Sequence, residues 1–166
     1  MRLTHKEAPM TVKPEVSLAL RKIIHGVYVI STRHEGKVNA MTAAWVARAS
    51  FDPELVTVAI GNTRHSHGMI KESGVFAVNI LSVDDILIGK HFGTKTGKKT
   101  DKFADISFDT KATGSPILKE AVAWLDCKVV SSVEAGDHTL FIGEVLDGGV
   151  LSGKPTLVYD KDTFYK

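Results

Sequence analysis

One apolar run of the sequence is followed directly by several hydroxyl and guanidinium groups, which are groups that can bind an anion. The run, residues 55–60, is rich in β-branched side chains and is therefore predicted to be a strand. The turn that follows, residues 61–68, supplies Thr63, Arg64 and Ser66. Backbone N–H groups at the start of a following helix attract anions, and a guanidinium matches the geometry of phosphate oxygens. The spacing therefore predicts a phosphate-binding turn.

A short helix at residues 67–73 is predicted to follow the turn, with Gly74 in the left-handed position that ends many helices. Ser, Thr and Asn are also the ordinary residues of helix caps and turns. The turn alone therefore leaves two interpretations open, which are an anion site and plain capping of the helix.

The segment before this strand combines small side chains with one large aromatic residue. Small residues let a flat ring approach the backbone, and Trp45 can wall one side of that ring or be an ordinary buried residue. Together with the turn, the segment predicts a ligand with a phosphate tail and a planar head. Its candidate binding residues are Asn39, Thr42, Ala43, Ala44 and Trp45.

Two further side chains are candidates for ligand contact. Lys102 lies in the polar, basic stretch 93–105, which is typical of a solvated surface loop, although an ammonium there can also face a bound ring. His138 belongs to the turn 134–138 between two predicted strands. It is either a simple turn residue or a hydrogen-bond donor to a ring carbonyl or a nicotinamide.

Other chemistries receive less support from the sequence. His65 and His67 would face the same way in an extended segment, but no third ligand follows at a recognisable spacing, so no metal site is predicted. The chain carries no Gly-x-Ser-x-Gly elbow, no Walker loop and no Gly-x-Gly-x-x-Gly after a strand. Hydrolysis and a dinucleotide-binding fold are therefore disfavoured.

Length and composition indicate one globular domain spanning residues 1–166, with an N-terminal arm at about residues 1–15. The apolar share is 43% and the charged share 24%, while a net charge of +2 gives little support for nucleic-acid binding. No apolar run is long enough for a membrane span, so a cytoplasmic protein without a membrane partner is expected. The single cysteine, Cys127, alternates with apolar residues and is expected to be buried.

The pattern of elements favours a mostly antiparallel barrel. Six or seven strands, two or three short helices and no alternating βαβ rhythm argue against a parallel doubly wound sheet. Ser82 is predicted to cap a second helix that Gly93 ends. The predicted strands are residues 27–32, 38–50, 55–60, 75–81, 124–133, 139–145 and 157–159.

Several motifs in order resemble the flavin reductase-like family of FMN-binding split barrels over about residues 20–160. They are NAMTAAWVARASFDPELVTVAI, NTRHSHGMIKESGVFAVNIL, the Lys102–Phe103 pair, AVAWLDCKV and GDHTLFIGEV. Trp at position 45 together with the Lys–Phe pair resembles the flavoredoxins within that family. The resemblance implies a six-stranded antiparallel split barrel, a homodimer and noncovalently bound FMN near the subunit interface.

The resemblance also implies a role for each candidate residue. Ser50, Thr63, Arg64 and Ser66 would hold the ribityl phosphate, while Lys102 would face the polar edge of the ring. His138 would lie near the exposed ring face as the catalytic residue. The isoalloxazine would be lined by Asn39, Thr42, Ala43, Ala44 and Trp45.

The implied activity is electron transfer from NADH or NADPH through bound FMN to a flavin or a redox partner, without a protein nucleophile. Two alternatives remain open. One is a flavoredoxin-like electron-transfer flavoprotein that lacks its own nicotinamide site, and the other is a flavin store or structural dimer module without catalysis.

Overall fold

The computed structural model describes residues 12–164, and its main feature is a seven-stranded sheet in which every neighbouring pair is antiparallel. The strands of the described residues are β1 Tyr28–His34, β2 Lys37–Ala43, β3 Val46–Phe51, β4 Glu54–Gly61, β5 Val75–Ile80, β6 Phe108–Thr110, β7 Pro116–Leu118, β8 Ala123–Ala135 and β9 His138–Val150. The main sheet has the order β2-β1-β5-β8-β9-β4-β3, and β6 pairs with β7 in a separate ribbon. The mostly β, antiparallel split-barrel class predicted from the sequence is confirmed.

The helices are short. They are α1 Pro14–Leu20, α2 His65–Ser73, α3 Ile86–Thr94 and α4 Lys161–Phe164. None of the helices within residues 12–164 is long and apolar enough to cross a membrane.

Strand β1 is buried on both faces because it separates two hydrophobic cores. Val29 and Ile30 are each fully buried, and as neighbours on a strand they point to opposite faces. Val29 packs in a cluster with Phe92 of α3, whereas Ile30 packs in a second cluster with Ile70 of α2 and Phe76 of β5. The two helices therefore cover different faces of the same strand, which fixes both of them relative to the sheet.

Glycines at three turns have the left-handed backbone that their positions require. Gly36 (φ 77°) turns β1 into β2, and Gly136 (φ 65°) turns β8 into β9. Gly74 (φ 69°) ends α2 and donates its N–H to the carbonyl of Ile70. The predicted end of this helix is confirmed, and its start lies two residues before the predicted one.

The predicted return strand 38–50 is wrong in one respect, because it divides at Ala44 and Trp45. Its first part, β2, pairs with β1, and its second part, β3, pairs with β4. The main sheet consequently has seven strands rather than six.

Three smaller predictions also need correction. Ser82 does not cap α3, since Asp85 holds the N-cap position and receives the hydroxyl bond of Ser82. Residues 157–159 form only an isolated bridge at Val158 rather than a strand. Of the predicted arm at residues 1–15, residues 1–11 lie outside the described part, and Pro14 begins α1.

Cys127 is fully buried on β8, as its alternating pattern predicts. Burial, reinforced by the nearby Asp126, raises the pKa of its thiol to about 12. The side chain therefore behaves as a small core residue rather than as a nucleophile.

Candidate functional site

A cleft of about 370 Å³ lies where the break between β2 and β3 meets the start of α2, the loop after α3 and the β8–β9 turn. Ten of the eleven site residues predicted from the sequence line it, although they span a hundred positions of the chain. They are Asn39, Thr42, Ala43, Ala44, Trp45, Thr63, Arg64, Ser66, Lys102 and His138.

Ser50 is the predicted site residue that the structure does not bring to the cleft. It is half-buried on β3 opposite Leu55, just after an irregularity in the register that follows Arg48. The cleft opens instead at the other end of the segment, around Trp45. The grouping of Ser50 with the phosphate turn is therefore not supported in this chain.

The start of α2 forms one end of the cleft. Arg64 is its N-cap residue, and no side chain caps the helix. Ser66 is instead engaged by the Asn39 amide, whose Nδ2 donates to its Oγ at 2.8 Å in a buried position. Plain capping, the alternative to an anion site, is therefore not what these polar residues do. In the first turn the N–H of His67 donates to the carbonyl of Arg64 at 3.0 Å, so the amides of His65 and Ser66 are the ones that an anion can approach.

Arg64 supplies the positive charge at this end. Its side chain is exposed and makes no ion pair among residues 12–164. A Cβ placed on Gly61 would lie 3.5 Å from Arg64 Cγ and 3.7 Å from His138 Nε2. The side chains of Arg64 and His138 thus converge over a glycine of β4.

Lys102 forms the floor of the cleft and is buried, although it lies in a stretch that is typical of a solvated loop. Its ammonium donates to the carbonyl of Ala40 at 2.8 Å and to that of Phe92 at 3.0 Å, which leaves one of its three donors. Burial, with a smaller contribution from the charge of Arg64, lowers the pKa of Lys102 to about 8. The group is therefore charged at neutral pH but titrates within an accessible range.

Trp45 and His138 form the mouth. Their ring centroids are 4.8 Å apart, and the indole is 52% exposed, so it is a wall of the cleft rather than a core residue. His138 Nδ1 lies 2.7 Å from a carboxylate oxygen of Asp137, and this contact lowers the pKa of Asp137. Because a carboxylate only accepts, Nδ1 carries a proton and Nε2 is the atom left facing Gly61 and Arg64.

Thr42 couples the small-residue segment to α3. Its Oγ1 donates to the carbonyl of Gly89 at 2.5 Å, and Gly93, one turn further along the helix, lies against the same side chain. The strand end that carries Ala43 and Ala44 is thereby held against α3.

His65 and His67 diverge because the segment is helical, not extended. His65 lines the cleft, and burial followed by the charges of Lys98, Lys102 and Lys37 lowers its pKa. His67 points toward β9, where its Nε2 lies 2.8 Å from Thr139 Oγ1.

Sequence reasoning missed the contribution of residues 93–98, which line the cleft although their polarity indicates a solvated loop. A Cβ on Gly97 would lie 2.1 Å from Asn39 Oδ1, so the loop backbone approaches Asn39 directly. The repeated glycines at 93 and 97 were the available signal for such an approach. His65, Gly61 and Phe92 also line the cleft without having been predicted.

Comparison with known proteins identifies the class to which this fold and cleft belong. The model of the flavin reductase like domain matches residues 20–166. The chain therefore belongs to the flavin reductase-like family, a class of oxidoreductases.

Individual relatives agree with this assignment. The chain is 32% identical over 144 residues to a ferric-chelate reductase (NAD(P)H) of Archaeoglobus fulgidus, covering 85% of each protein. The solved structure of flavin reductase PheA2 is 36% identical, with a TM-score of 0.78 over 89% of this chain and 93% of that one. An FMN-binding protein from Thermus thermophilus, solved with bound p-hydroxybenzaldehyde, is 25% identical, with a TM-score of 0.79 over 96% and 91%.

Longer relatives match as well. The chain spans only 24% of the length of diflavin flavoproteins from Synechocystis and Nostoc.

Proposed function

We propose that the protein binds FMN noncovalently in this cleft and passes electrons from NAD(P)H through it to a free flavin or a redox partner. The observation that carries the proposal is the meeting of three features in one cleft. These are a helix start without a side-chain cap whose guanidinium has no ion partner in the described part of the protein, a buried ammonium, and a small-residue segment walled by an exposed indole.

The chemistry of the helix end fits a phosphate. The first-turn amides of α2 and the positive end of its dipole favour an anion. Arg64 adds charged donors, and the exposed Thr63 adds a hydroxyl. A terminal phosphate monoester, as in FMN, can be reached from several sides at such a position.

The other part of the cleft fits a flat ring. Ala43 and Ala44 present little side chain, so a ring can approach the backbone of β2. Trp45 offers an aromatic face beside them, and rings of this kind pack favourably on one another. The remaining donor of Lys102 lies at the floor, where it would stabilise negative charge on the polar edge of the ring.

FMN, when bound, supplies the two-electron redox chemistry, and the protein's part is binding and orientation. Trp45 and His138 would position the incoming nicotinamide at the mouth. His138 would offer Nε2, since Nδ1 is engaged by Asp137. Arg64 would hold the phosphate, and no side chain is required as a nucleophile.

Relatives support the choice of electron donor. The names of the ferric-chelate reductase (NAD(P)H) and the FMN-binding protein state a nicotinamide donor and an FMN ligand for those proteins. We carry both over to this chain as proposals and assign the reaction to the cytoplasm, where nicotinamide cofactors are supplied.

We also propose a homodimer, because several apolar side chains are exposed. Helix α1 buries no residue, and Leu18, Leu20 and Ile24 are 60%, 57% and 82% exposed. Phe51 on β3 is 77% exposed. Apolar surface on this scale favours an interface with a second copy of the chain.

One observation favours the alternative of an electron carrier without a nicotinamide site. Trp45 rests against His138 at the mouth, which narrows the space for a second ring. Such a carrier would receive electrons from a reduced protein partner rather than from NAD(P)H.

Titration of flavin-free protein with FMN tests the proposal. One FMN per chain is expected to bind, with a shifted visible spectrum and quenched flavin fluorescence. Protein that leaves the FMN spectrum and fluorescence unchanged would refute binding in this cleft.

A further inference from the structure

The side chains of Asn62, Thr139 and His67 form a hydrogen-bonded chain behind the cleft, and none of the three lines it. Thr139 is buried on β9 and donates its hydroxyl to Asn62 Oδ1 at 2.8 Å. Since that hydroxyl has a single proton, Thr139 can only accept from His67 Nε2, 2.8 Å away on its other side. His67 is therefore held as the tautomer that carries its proton on Nε2.

Along the sequence, members of this hydrogen-bonded chain lie on both sides of the proposed anion-binding residues. Asn62 immediately precedes Thr63 and Arg64, and His67 immediately follows Ser66. The two residues that flank segment 63–66 are thus both hydrogen-bonded to the hydroxyl group of Thr139. The His67 ring also packs on Phe141, with centroids 5.4 Å apart, which fixes its plane.

The same hydrogen-bonded chain extends to the turn that carries His138. Thr139 is the next residue after His138. Asn62 donates its backbone N–H to the carbonyl of Asp137 at 2.9 Å and its side-chain Nδ2 to that of Gly136 at 3.3 Å. A displacement of the β8–β9 turn would therefore also displace the start of α2.

We propose that His67, Thr139 and Asn62 are positioning residues that set Arg64 and the α2 amides at a fixed distance from His138. Since the helix start is proposed to hold the phosphate and His138 the nicotinamide side of the cleft, the hydrogen-bonded chain keeps these two neighbouring parts of the ligand site in register. In its ligand-binding part, this inference rests on the proposed function. Thr139 does not line the cleft and acts only through its neighbours.

Replacement of Thr139 by valine keeps its shape and removes the hydroxyl, which leaves His67 and Asn62 without their shared partner. Thr139→Ser keeps the hydroxyl and is the conservative variant. Thr57→Val is the matched control, because Thr57 lies on the adjacent strand β4 and its hydroxyl makes only an exposed 3.3 Å bond to Ala47. His67→Leu and His67→Gln form a second pair, in which only glutamine can still donate.

The first measurement uses flavin-free protein and does not depend on the proposed function. In NMR spectra, Thr139→Val and His67→Leu are expected to shift the signals of the Arg64 side chain and the His138 ring, whereas Thr139→Ser, His67→Gln and Thr57→Val leave them in place. An Arg64 signal that stays in place in Thr139→Val, together with a His138 signal that stays in place in His67→Leu, would overturn the proposal.

The second measurement is the dissociation constant for FMN, well below the unfolding temperature of each variant. Thr139→Val is expected to weaken FMN roughly ten-fold, since modest losses of positioning energy have effects of this size on an equilibrium constant. A variant with lower thermal stability but unchanged FMN affinity would show that the hydrogen-bonded chain stabilises the fold without positioning the ligand site. If the wild type binds no FMN, the proposed function fails, and the NMR measurement still decides whether the chain positions Arg64 and His138.

Discussion

Arg64 is the residue on which the phosphate assignment most depends, because its guanidinium is exposed in the cleft and forms no ion pair within the described residues. Arg64→Ala is predicted to raise the dissociation constant for FMN about 10- to 100-fold, since a charge-assisted hydrogen bond contributes about 1.5–3 kcal/mol. Fluorescence titration measures the effect. Arg64→Lys, which keeps the charge but loses the planar fork, should fall between the two, and equal affinity of all three proteins would contradict the assignment.

Lys102 gives the site a pH dependence whose sign follows from its burial. Its pKa, lowered to about 8, means that the ammonium is charged below this value and neutral above it. An anionic ligand is favoured by the charged form, so FMN affinity is predicted to be level near pH 7 and to fall as pH rises through about 8. Titrations at several pH values check this, with Lys102→Met predicted to remove the decline. A decline of equal size in that variant would show that another group is responsible.

At the scale of elements, the strands were predictable where burial follows the intrinsic preference of the chain. Residues 55–60 are mostly apolar and rich in β-branched side chains, which favour strands, and β4 forms there as predicted. The break at Ala44 and Trp45 was not predictable, because those residues suit a strand and only the pairing of β2 and β3 with different neighbours separates them.

Within the site, short-range motifs were found and long-range contacts were missed. The turn at Thr63 and Arg64 carries its own local signal. The burial of Lys102 depends on carbonyls of Ala40 and Phe92, which no local pattern in its own loop reveals. Ser50 does not line the cleft for the same reason, since its position is set by the register of β3 against β4.

The packing of β9 against β5 is tested by Gly143→Ala. A Cβ at Gly143 would lie 2.5 Å from the Phe76 ring and 3.1 Å from Cys127 Cβ, and both neighbours are fully buried. The variant is predicted to lose about 1–3 kcal/mol of unfolding free energy, measured by denaturant titration, because the core has no room to adjust.

Gly68→Ala is the control for this substitution. Apart from the backbone of its own helix and its chain neighbours, no atom of residues 12–164 lies within 4 Å of its new Cβ, and alanine favours the helix there. Its stability is predicted to be equal or higher. Equal losses in the two variants would argue against the packing of Phe76 on Gly143.

At the scale of the whole molecule, the exposed apolar surface of α1 predicts self-association. Light scattering coupled to size-exclusion chromatography is expected to give twice the mass of the 18.0 kDa chain. Leu18→Glu and Leu20→Glu together should shift the protein toward the monomer, because they place charges on a helix that buries no residue against the rest of residues 12–164. A wild-type protein that remains monomeric at high concentration would contradict the dimer.

The split barrel and its cleft are combined in one redox proposal, in which a nicotinamide delivers electrons to FMN held between the start of α2 and Trp45. Anaerobic addition of NADH or NADPH to the FMN-loaded protein tests this claim most directly. Loss of absorbance in the oxidised-flavin band, at a rate that saturates with the nicotinamide concentration, is the predicted result. Flavin that binds yet stays oxidised with both nicotinamides would contradict the claim.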